Sequence, residues 1–278
     1  MYIAPVKCPG CGRTGRPAEV GFRAAFEVGG VVIQCDCGQS ISLRGEEARD
    51  QQILSANTFS RLSAASNHFE SGTVRIQPGH ASEIRFTRPF DFPCKAFLTP
   101  NAPVALRADF LAGDKVRVLS SILPSHTSLP EVVEIDWSVY GLVGIDSLPT
   151  WYVHFYAALT QLENGFFKPA LLDYAVAFEV FLETFLTERL SQRFSPDASS
   201  YLLRRTPRVE ERAKELLELA IGCNLTSRDD VYQPWDRDVR KPRNQLAHGD
   251  RLVIDRDAAL RAHSAAYQAI RWIQGQAG

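Results

Sequence analysis

Hydrophobic and polar positions follow two different periods along the chain, and the period changes near residue 150. Over residues 67–149 the apolar residues form short runs rich in β-branched and aromatic types, separated by turns that contain Pro or Gly. In VALRADF, Val104, Leu106 and Ala108 occupy one face and alternate with the other face, as in a half-buried strand. This pattern predicts an antiparallel β-sandwich or barrel. The six predicted strands are TVRI (73–76), EIRF (83–86), KAFLT (95–99), VALRADF (104–110), KVRVLSSIL (115–123) and VVEIDWSVYGLVG (132–144).

After residue 150 the apolar residues recur every three or four positions, which is the period of an amphipathic helix. The clearest run spans residues 171–190. Four or five helices with short links predict an all-α bundle. The other helices are expected at 151–163, ending near Asn164 and Gly165; at about 207–221, with Pro207 in the first turn and Gly222 after the end; and at 256–273, with Asp255 as the N-cap.

Length and composition are those of a multidomain globular protein. The 278 residues suit two domains and a small module, and we divide them into 1–66, 67–149 and 150–278. Hydrophobic residues make up 45% and charged residues 23%, and the formal net charge is −1. Because the whole chain carries no strong field, any contact with nucleic acid needs a local basic patch. We expect a cytoplasmic protein without a membrane partner, since the sequence has neither a long apolar run nor a secretory signal.

Four cysteines near the amino terminus form two close pairs, and each pair is followed by a glycine. Cys8 and Cys11 are spaced as C-x2-C, and Cys35 and Cys37 as C-x-C. Four thiolates at tetrahedral spacing suit Zn²⁺, and a closed set of four sulfurs is typical of a structural site. The strand-like residues between the pairs, around a Gly-Gly turn, predict a small zinc ribbon. Two disulfides or redox-active thiols are the alternatives.

The stretch RKPRNQLAHGD (240–250) gathers chemically active side chains. Asn244 and His248 are four residues apart, so on a helix they share one face, and Arg243 reaches the same edge. Pro242 is tolerated in a first turn and Gly249 is a natural stop. The stretch therefore predicts a short helical segment that brings Arg, Asn and His to a common rim.

The residues around this segment are basic. From Arg237 to Arg251 the chain has five basic and two acidic residues, a local net charge of +3 in a balanced chain. This cluster predicts contacts with RNA phosphates. The residues that we assign to it are Arg237, Arg240, Lys241 and Arg251.

The residue types of the trio favour phosphodiester chemistry on RNA. A guanidinium matches a phosphate, and an imidazole transfers protons near neutral pH. The stretch has neither a Ser or Cys nucleophile nor a carboxylate cluster of the kind that Mg²⁺ needs. RNA carries its own nucleophile, the 2′-OH. The trio therefore predicts metal-independent cleavage that leaves a 2′,3′-cyclic phosphate and a free 5′-OH.

The order R-N-x3-H followed by Gly, late in a helical bundle and behind a long amphipathic helix, resembles the HEPN superfamily. Ribonucleases of that superfamily carry an R-x4–6-H motif, commonly with a polar residue directly after the Arg. Arg243, Asn244 and His248 occupy those positions here, and the resemblance extends over about residues 150–275. It implies a metal-independent RNase that forms a homodimer through its helical domain, where one histidine serves as base and the other as acid.

Many relatives in that superfamily belong to bacterial toxin–antitoxin or antiphage systems. By analogy, the resemblance implies an effector whose amino-terminal half senses a phage-derived or antitoxin trigger. The rival interpretation is a non-catalytic module for RNA or nucleotide binding or for dimerisation, with the β domain as a ligand sensor. In that case His248 interacts with the dipole at a helix C-terminus, and its basic neighbours form a solvated face.

Two further sets of residues have open interpretations. RRTPRVEERAK (204–214) either widens an RNA surface or is a charged helix face with pairs such as Glu210 with Lys214. On the long helix, Glu179 and Asp173 either orient the motif or are ordinary polar-face residues.

Overall fold

The computed structural model describes residues 6–8, 10–11, 14–15, 22–27, 30–35, 37–44, 49–50, 52–54, 58–122 and 131–276. The protein is mixed α/β and divides into two compact units. Ile3–Ser147 forms the first unit, and Leu148–Gly278 forms most of the second. Of the elements that the structure describes, the first unit contains the cysteine pairs and the strands, and the second contains the long helices.

Short antiparallel strands surround the cysteine pairs. Strands β1 (Val6–Lys7) and β2 (Thr14–Gly15) pair with each other. Strands β3 (Phe22–Glu27), β4 (Gly30–Cys35) and β5 (Ser40–Arg44) form a three-stranded sheet with β4 in the centre. The strand-like character predicted between the two cysteine pairs is confirmed, while Gly29 of the expected turn lies outside the described residues.

All six strands predicted between residues 67 and 149 are present. They follow helix α1 (Thr58–Ala65) and form two separate antiparallel sheets, ordered β6-β11-β8 and β7-β10-β9. The strands are β6 (His68–Ile76), β7 (Ala81–Arg85), β8 (Phe92–Pro100), β9 (Val104–Ala112), β10 (Lys115–Ile122) and β11 (Val133–Leu142).

Both of these sheets contribute to one hydrophobic core. Val116 and Val118 of β10 and Ile135 of β11 are fully buried in it. On β9, Val104 is buried, and Leu106 and Ala108 pack against the same core, as the alternation in VALRADF predicts. The alternating pattern thus identified the inward-facing side chains of this strand because successive strand residues point to opposite faces.

The second unit is helical. Helices α2 (Thr150–Glu163) and α3 (Phe167–Ser191) pack extensively against each other. Gly165 lies in the short link between the two helices and adopts a left-handed backbone conformation, with φ +84°. Helix α4 is Pro196–Arg205. Helix α5 runs continuously through Val209–Glu211, a π-helical turn at Arg212–Leu216, and Leu217–Ile221. Helix α6 runs through Asp229–Trp235, a π-helical turn at Asp236–Arg240, and Lys241–Ala247. Helix α7 is Arg256–Gly275.

The predicted helix ends agree closely with the structure. Asp255 caps α7, because its carboxylate accepts the backbone N–H of Ala258 at 2.7 Å. Gly222 ends α5 in the left-handed conformation, with φ +80°. Helix α5 begins at Val209, however, so Pro207 precedes the helix instead of lying in its first turn. None of the helices in the described residues is long and apolar enough to span a membrane.

One helix differs from the prediction in its length. The RKPRNQLAHGD stretch was expected as a short segment with Pro242 in its first turn, but it is the last part of α6, which begins at Asp229. Pro242 lies inside that helix, where it has no N–H to donate and its ring would clash with the carbonyl of Asp238 in a regular helix. We attribute the wide π-helical turn at Asp236–Arg240, directly ahead of Pro242, to this conflict.

Candidate functional site

The four cysteines of the two predicted pairs converge. All four sulfur atoms lie within 4.8 Å of one another, with Cys8 Sγ 3.5 Å from Cys37 Sγ and Cys11 Sγ 3.7 Å from Cys35 Sγ. A tetrahedral site with Zn–S bonds of about 2.3 Å has sulfurs roughly 3.8 Å apart, whereas a disulfide needs about 2.05 Å. The four thiols are free and lie close enough to bind one metal ion.

The described surroundings give two of these thiols different pKa values. The backbone N–H of Cys11 is the main cause that lowers the pKa of Cys8 to about 6. For Cys35, the backbone N–H of Cys37 lowers the pKa, but burial and the surrounding thiols outweigh it and raise the pKa to about 12. Gly38 adopts φ +87° just after the second pair, so the expected glycine turn is present there, while Gly12 lies outside the described residues.

Helix α6 carries the predicted trio to its C-terminal end. Arg243 and Asn244 lie in the last two turns, and His248 is the residue that caps the helix. Gly249, with φ +86°, ends it, and the N–H of Asp250 donates to the carbonyl of Gln245 at 3.0 Å. This closing hydrogen bond is the kind that a left-handed glycine permits, so the predicted stop at Gly249 is confirmed.

Arg243, Asn244 and His248 line one cleft of about 460 Å³. Its walls come from three helices of the second unit. Helix α3 contributes Glu179 and Glu183; α5 and the residues before it contribute Pro207, Arg208, Val209, Glu210 and Arg212; and α6 contributes Arg240 and the trio.

Arg243 is held from two sides at the cleft wall. Its Nε and Nη2 lie 3.2 Å and 3.4 Å from the two carboxylate oxygens of Glu179, and its Nη1 lies 3.4 Å from Oδ1 of Asn244. The side chains of Arg243 and Glu179 are 37% and 33% exposed, so the pair stands at the boundary of solvent. The carboxylate occupies one edge of the guanidinium, which leaves further N–H groups for a ligand because arginine has five. Asp173, the other acid considered on α3, accepts instead from Gln161 at 2.6 Å.

A network of charges lies beneath the cleft and joins α5 to α6. Asp236 is buried and pairs with Lys241 at 2.8 Å and with Arg240. Arg240 reaches Glu210 of α5 at 2.9 Å, and Glu210 also binds Lys214 at 2.9 Å. Burial acts to raise the pKa of Asp236, but hydrogen bonds from Lys241 and Arg240 outweigh it and hold the pKa below its usual range. The pKa of Glu210 is lowered chiefly by its hydrogen bond from Lys214.

The predicted RNA-contacting residues have different surroundings. Arg240 and Lys241 belong to the Asp236 network, although the Lys241 side chain is 63% exposed. Arg237 is exposed and pairs with Asp238 at 2.6 Å. Arg251 is exposed beyond the end of α6. Only Arg240 among these four lines the cleft.

His248 is exposed at the cleft rim. Among the residues that the structure describes, no hydrogen bond to its imidazole is found. A base that acts on a hydroxyl commonly has its second nitrogen oriented by a partner, but free enzymes often show loose geometry that tightens with substrate.

Sequence reasoning did not identify the residues that complete this cleft. Glu183 had no assigned role, and Arg208 and Arg212 were part of a basic stretch with two open interpretations. Arg212 pairs with Glu183 at 3.1 Å and donates to the carbonyl of Thr206 at 2.7 Å. The one local signal in that stretch, the spacing of Glu210 and Lys214, does form the predicted pair at 2.9 Å.

No family model matches this chain, and neither a search of curated proteins nor a search of solved structures found a similar protein.

Proposed function

We propose that this chain is a metal-independent endoribonuclease of the HEPN type. The observation that supports it most is that Arg243, Asn244 and His248 line one solvent-accessible cleft together with three more arginines. A cleft of this size, about 460 Å³, is in the range of ligand pockets. Arginine forks are suited to phosphate, and an exposed imidazole transfers protons near neutral pH.

In the proposed reaction the ribose 2′-oxygen attacks the adjacent phosphorus. The O2′–P bond forms while the P–O5′ bond breaks, which yields a 2′,3′-cyclic phosphate and a 5′-hydroxyl. His248 accepts the proton of the 2′-OH or delivers one to the leaving 5′-oxygen. Arg243 binds the non-bridging oxygens and stabilises the charge that develops on them, with its guanidinium positioned by Glu179 and Asn244.

Two proton transfers need two groups, or one group that acts twice. The HEPN resemblance implies two groups: in a homodimer, His248 of a second copy would provide the second proton-transfer group. The position of His248 at the rim of the cleft, exposed to solvent, is consistent with that arrangement.

The first unit would then have a recognition role. We propose that the four cysteines hold a structural Zn²⁺ in a ribbon-like module, since their number, identity and spacing fit a closed tetrahedral site. The two sheets with a common core would form a β-sandwich that senses a phage-derived or antitoxin trigger in the cytoplasm of a bacterium, with the RNase as effector.

One observation favours a second candidate function, binding without cleavage. Each of the four cleft arginines has a carboxylate partner, which for three of them is a glutamate of the cleft, and no described residue orients the imidazole of His248. A site arranged in this way suits an anionic ligand such as a nucleotide or RNA that is held and not cut. In that case the helical unit would serve as a binding or dimerisation module.

A cleavage assay separates the two candidates. Wild-type protein, Arg243→Ala and His248→Ala are incubated with RNA in EDTA, and bound zinc is measured before and after. The enzyme hypothesis expects cleavage in wild type, with cyclic-phosphate ends, and a rate about 10²–10⁴-fold lower in each variant.

Two surface variants provide controls. Arg228→Ala removes an exposed arginine that pairs with Asp230 outside the cleft, and His80→Ala removes an exposed histidine of the other unit. Both should cleave like wild type. Intact RNA under all conditions, with RNA binding that Arg243→Ala weakens, would favour the binding module.

A further inference from the structure

The basic stretch at 204–214 contributes side chains to the cleft that the proposed mechanism leaves without a role. Arg208 and Arg212 both line the cleft, and they belong to a different segment of the chain from the R-N-x3-H motif. The cleft therefore has two arginines from each of two separate segments, 208–212 and 240–243. What distinguishes the four is the partner that each one has.

Three of these arginines are neutralised within the cleft. Arg243 pairs with Glu179 at 3.2 Å, and Arg212 pairs with Glu183 at 3.1 Å. Arg240 pairs with Glu210 at 2.9 Å and also with the buried Asp236. The carboxylates of these three pairs are the three glutamates that line the cleft.

Arg208 is different. Among the described residues, its ion pair is with Glu211 at 3.3 Å, and Glu211 does not line the cleft. The Arg208 side chain is 81% exposed, and an exposed pair three residues apart contributes little energy. The guanidinium is thus available to a ligand at small cost.

The charge of the cleft follows from this difference. Its lining has four arginines and three glutamates, a net charge of +1 when His248 is neutral. Because the other three arginines are matched, Arg208 is the residue that leaves the lining positive. An anion that enters the cleft gains most from the cation whose carboxylate partner lies outside the cleft lining and is solvent-screened.

We propose that Arg208 binds a phosphate of an unpaired RNA strand, next to the phosphate that Arg243 holds. This rests on the proposed function, because it assigns the second phosphate of the same substrate. A cleft of about 460 Å³ accommodates on the order of one or two nucleotides and not a duplex. The substrate class is therefore single-stranded RNA or the loop of a folded RNA.

Binding to a non-cleavable RNA tests this proposal apart from catalysis. A single-stranded oligonucleotide with 2′-O-methyl riboses cannot be cut by its own 2′-oxygen, so its affinity is measurable by fluorescence anisotropy over a series of salt concentrations. For Arg208→Ala we expect roughly five- to tenfold weaker binding. The slope of log K against log salt should become shallower by about 0.7, the value for one contact to a single-stranded phosphate.

Arg204→Ala is the matched control. Arg204 is an exposed arginine of the same basic stretch, on α4, and it does not line the cleft. Its removal lowers the net charge by the same amount, but affinity and salt slope should stay close to wild type. Equal losses in both variants would mean a diffuse electrostatic effect and would overturn the assignment, as would no loss in Arg208→Ala or no binding by the wild type.

The failure of each proposal has its own signature. If Arg208→Ala weakens binding while wild type leaves cleavable RNA intact, the phosphate contact stands and the nuclease activity does not. If wild type cleaves RNA and Arg208→Ala binds the oligonucleotide normally, the nuclease stands and the second phosphate contact is refuted.

Discussion

The four-cysteine cluster and the arginine-rich cleft both gather ionisable groups of one kind, but they compensate them differently. The four cysteine sulfurs lie within 4.8 Å of one another, and the described surroundings that favour a thiolate there are backbone N–H groups. The proposed metal ion would balance the charge of four thiolates. In the cleft, three of four arginines have a carboxylate from another helix within 3.2 Å.

This difference indicates which of the two sites can form without a ligand. Ion pairs built from protein groups hold the cleft together without any ligand, so an empty cleft is compatible with a stable fold. A set of four thiols that binds the proposed metal ion would gain its stability from that ion, since metal-binding free energy is folding free energy in small metal-stabilised modules. We therefore expect the first site to be sensitive to metal removal and the second to be sensitive to the loss of one charge partner.

The largest expected effect is at the cysteine cluster. Cys35→Ser replaces one of the four proposed sulfur ligands, which is buried, by a hydroxyl, and a structural Zn²⁺ in a small module involves about 10–16 kcal/mol of binding free energy. Bound zinc should fall from about one equivalent to near zero, measured by mass spectrometry of the metal after gel filtration. Hydrogen exchange of β3, β4 and β5 should rise at the same time.

Cys223→Ser is the matched control for that experiment. Cys223 is a free, partly buried cysteine that lies outside the cluster, so this variant should keep its zinc. Wild-type protein that is purified under reducing conditions and holds no metal would contradict the prediction, and so would a Cys35→Ser variant with a full equivalent.

A smaller effect is expected at the charge network beneath the cleft. Asp236→Asn removes the buried charge that pairs with Arg240 and Lys241. Because the buried amide cannot replace the charge-assisted hydrogen bonds that Asp236 accepts from both cations, the free energy of unfolding should fall by about 3 kcal/mol in urea denaturation. Asp230→Asn, which breaks the exposed pair with Arg228 on the same helix, should change it by less than about 1 kcal/mol.

The difference in stability between wild type and Asp236→Asn should depend on pH. The pKa of Asp236 is lower in the folded state than its usual value, so its contribution is present above about pH 4 and is lost as the pH falls through the folded pKa. The stability curves of wild type and Asp236→Asn should therefore converge below about pH 4. Curves that stay parallel well below that pH would show that the carboxylate does not carry the effect.

The smallest effect is expected where a carboxylate positions a reacting group. Glu179→Gln removes the charge that holds Nε and Nη2 of Arg243, and a misplaced guanidinium should lower kcat by roughly 10- to 100-fold. The thermal midpoint should change little, because the pair is partly exposed.

Glu188→Gln is the matched control for Glu179, since Glu188 is an exposed acid of the same helix outside the cleft. It should leave both kcat and the thermal midpoint unchanged. A Glu179→Gln variant that loses stability but keeps its kcat would assign this pair to the fold and not to the reaction.

Local patterns predicted most of the regular structure. Six strands and the helices over 150–163, 167–191 and 256–275 lie where the periods of two and 3.6 place them. The sequence also predicted where three helices begin or end. Asp255 caps α7 through its side chain, and Gly222 and Gly249 end α5 and α6 through their left-handed backbone conformation. These features depend on interactions within a few residues, which is the range that a sequence pattern records.

Helix α6 shows where local patterns were insufficient. Pro242 suits the first turn of a helix, so the sequence predicted only a short segment that starts near it, whereas both Pro234 and Pro242 lie inside α6. Packing of Trp235 and Val239, both about 1% exposed, keeps the helix continuous across them, with a π-helical turn between. Burial of this apolar face outweighed the local cost of the prolines.

The sequence by itself determined the two cysteine pairs, the strand and helix positions and the identity of the Arg-Asn-His trio. Each of these features depends on a pattern of residues that are close along the chain. Only the tertiary structure decided which glutamate pairs with which arginine, and that Arg208, just ahead of α5, lines the same cleft as Arg243 but pairs with none of its glutamates. Such pairings join residues from 29 to 64 positions apart, for Arg212 with Glu183 and Arg243 with Glu179. Coulomb energy depends on distance in space, and a period along the chain contains no record of it.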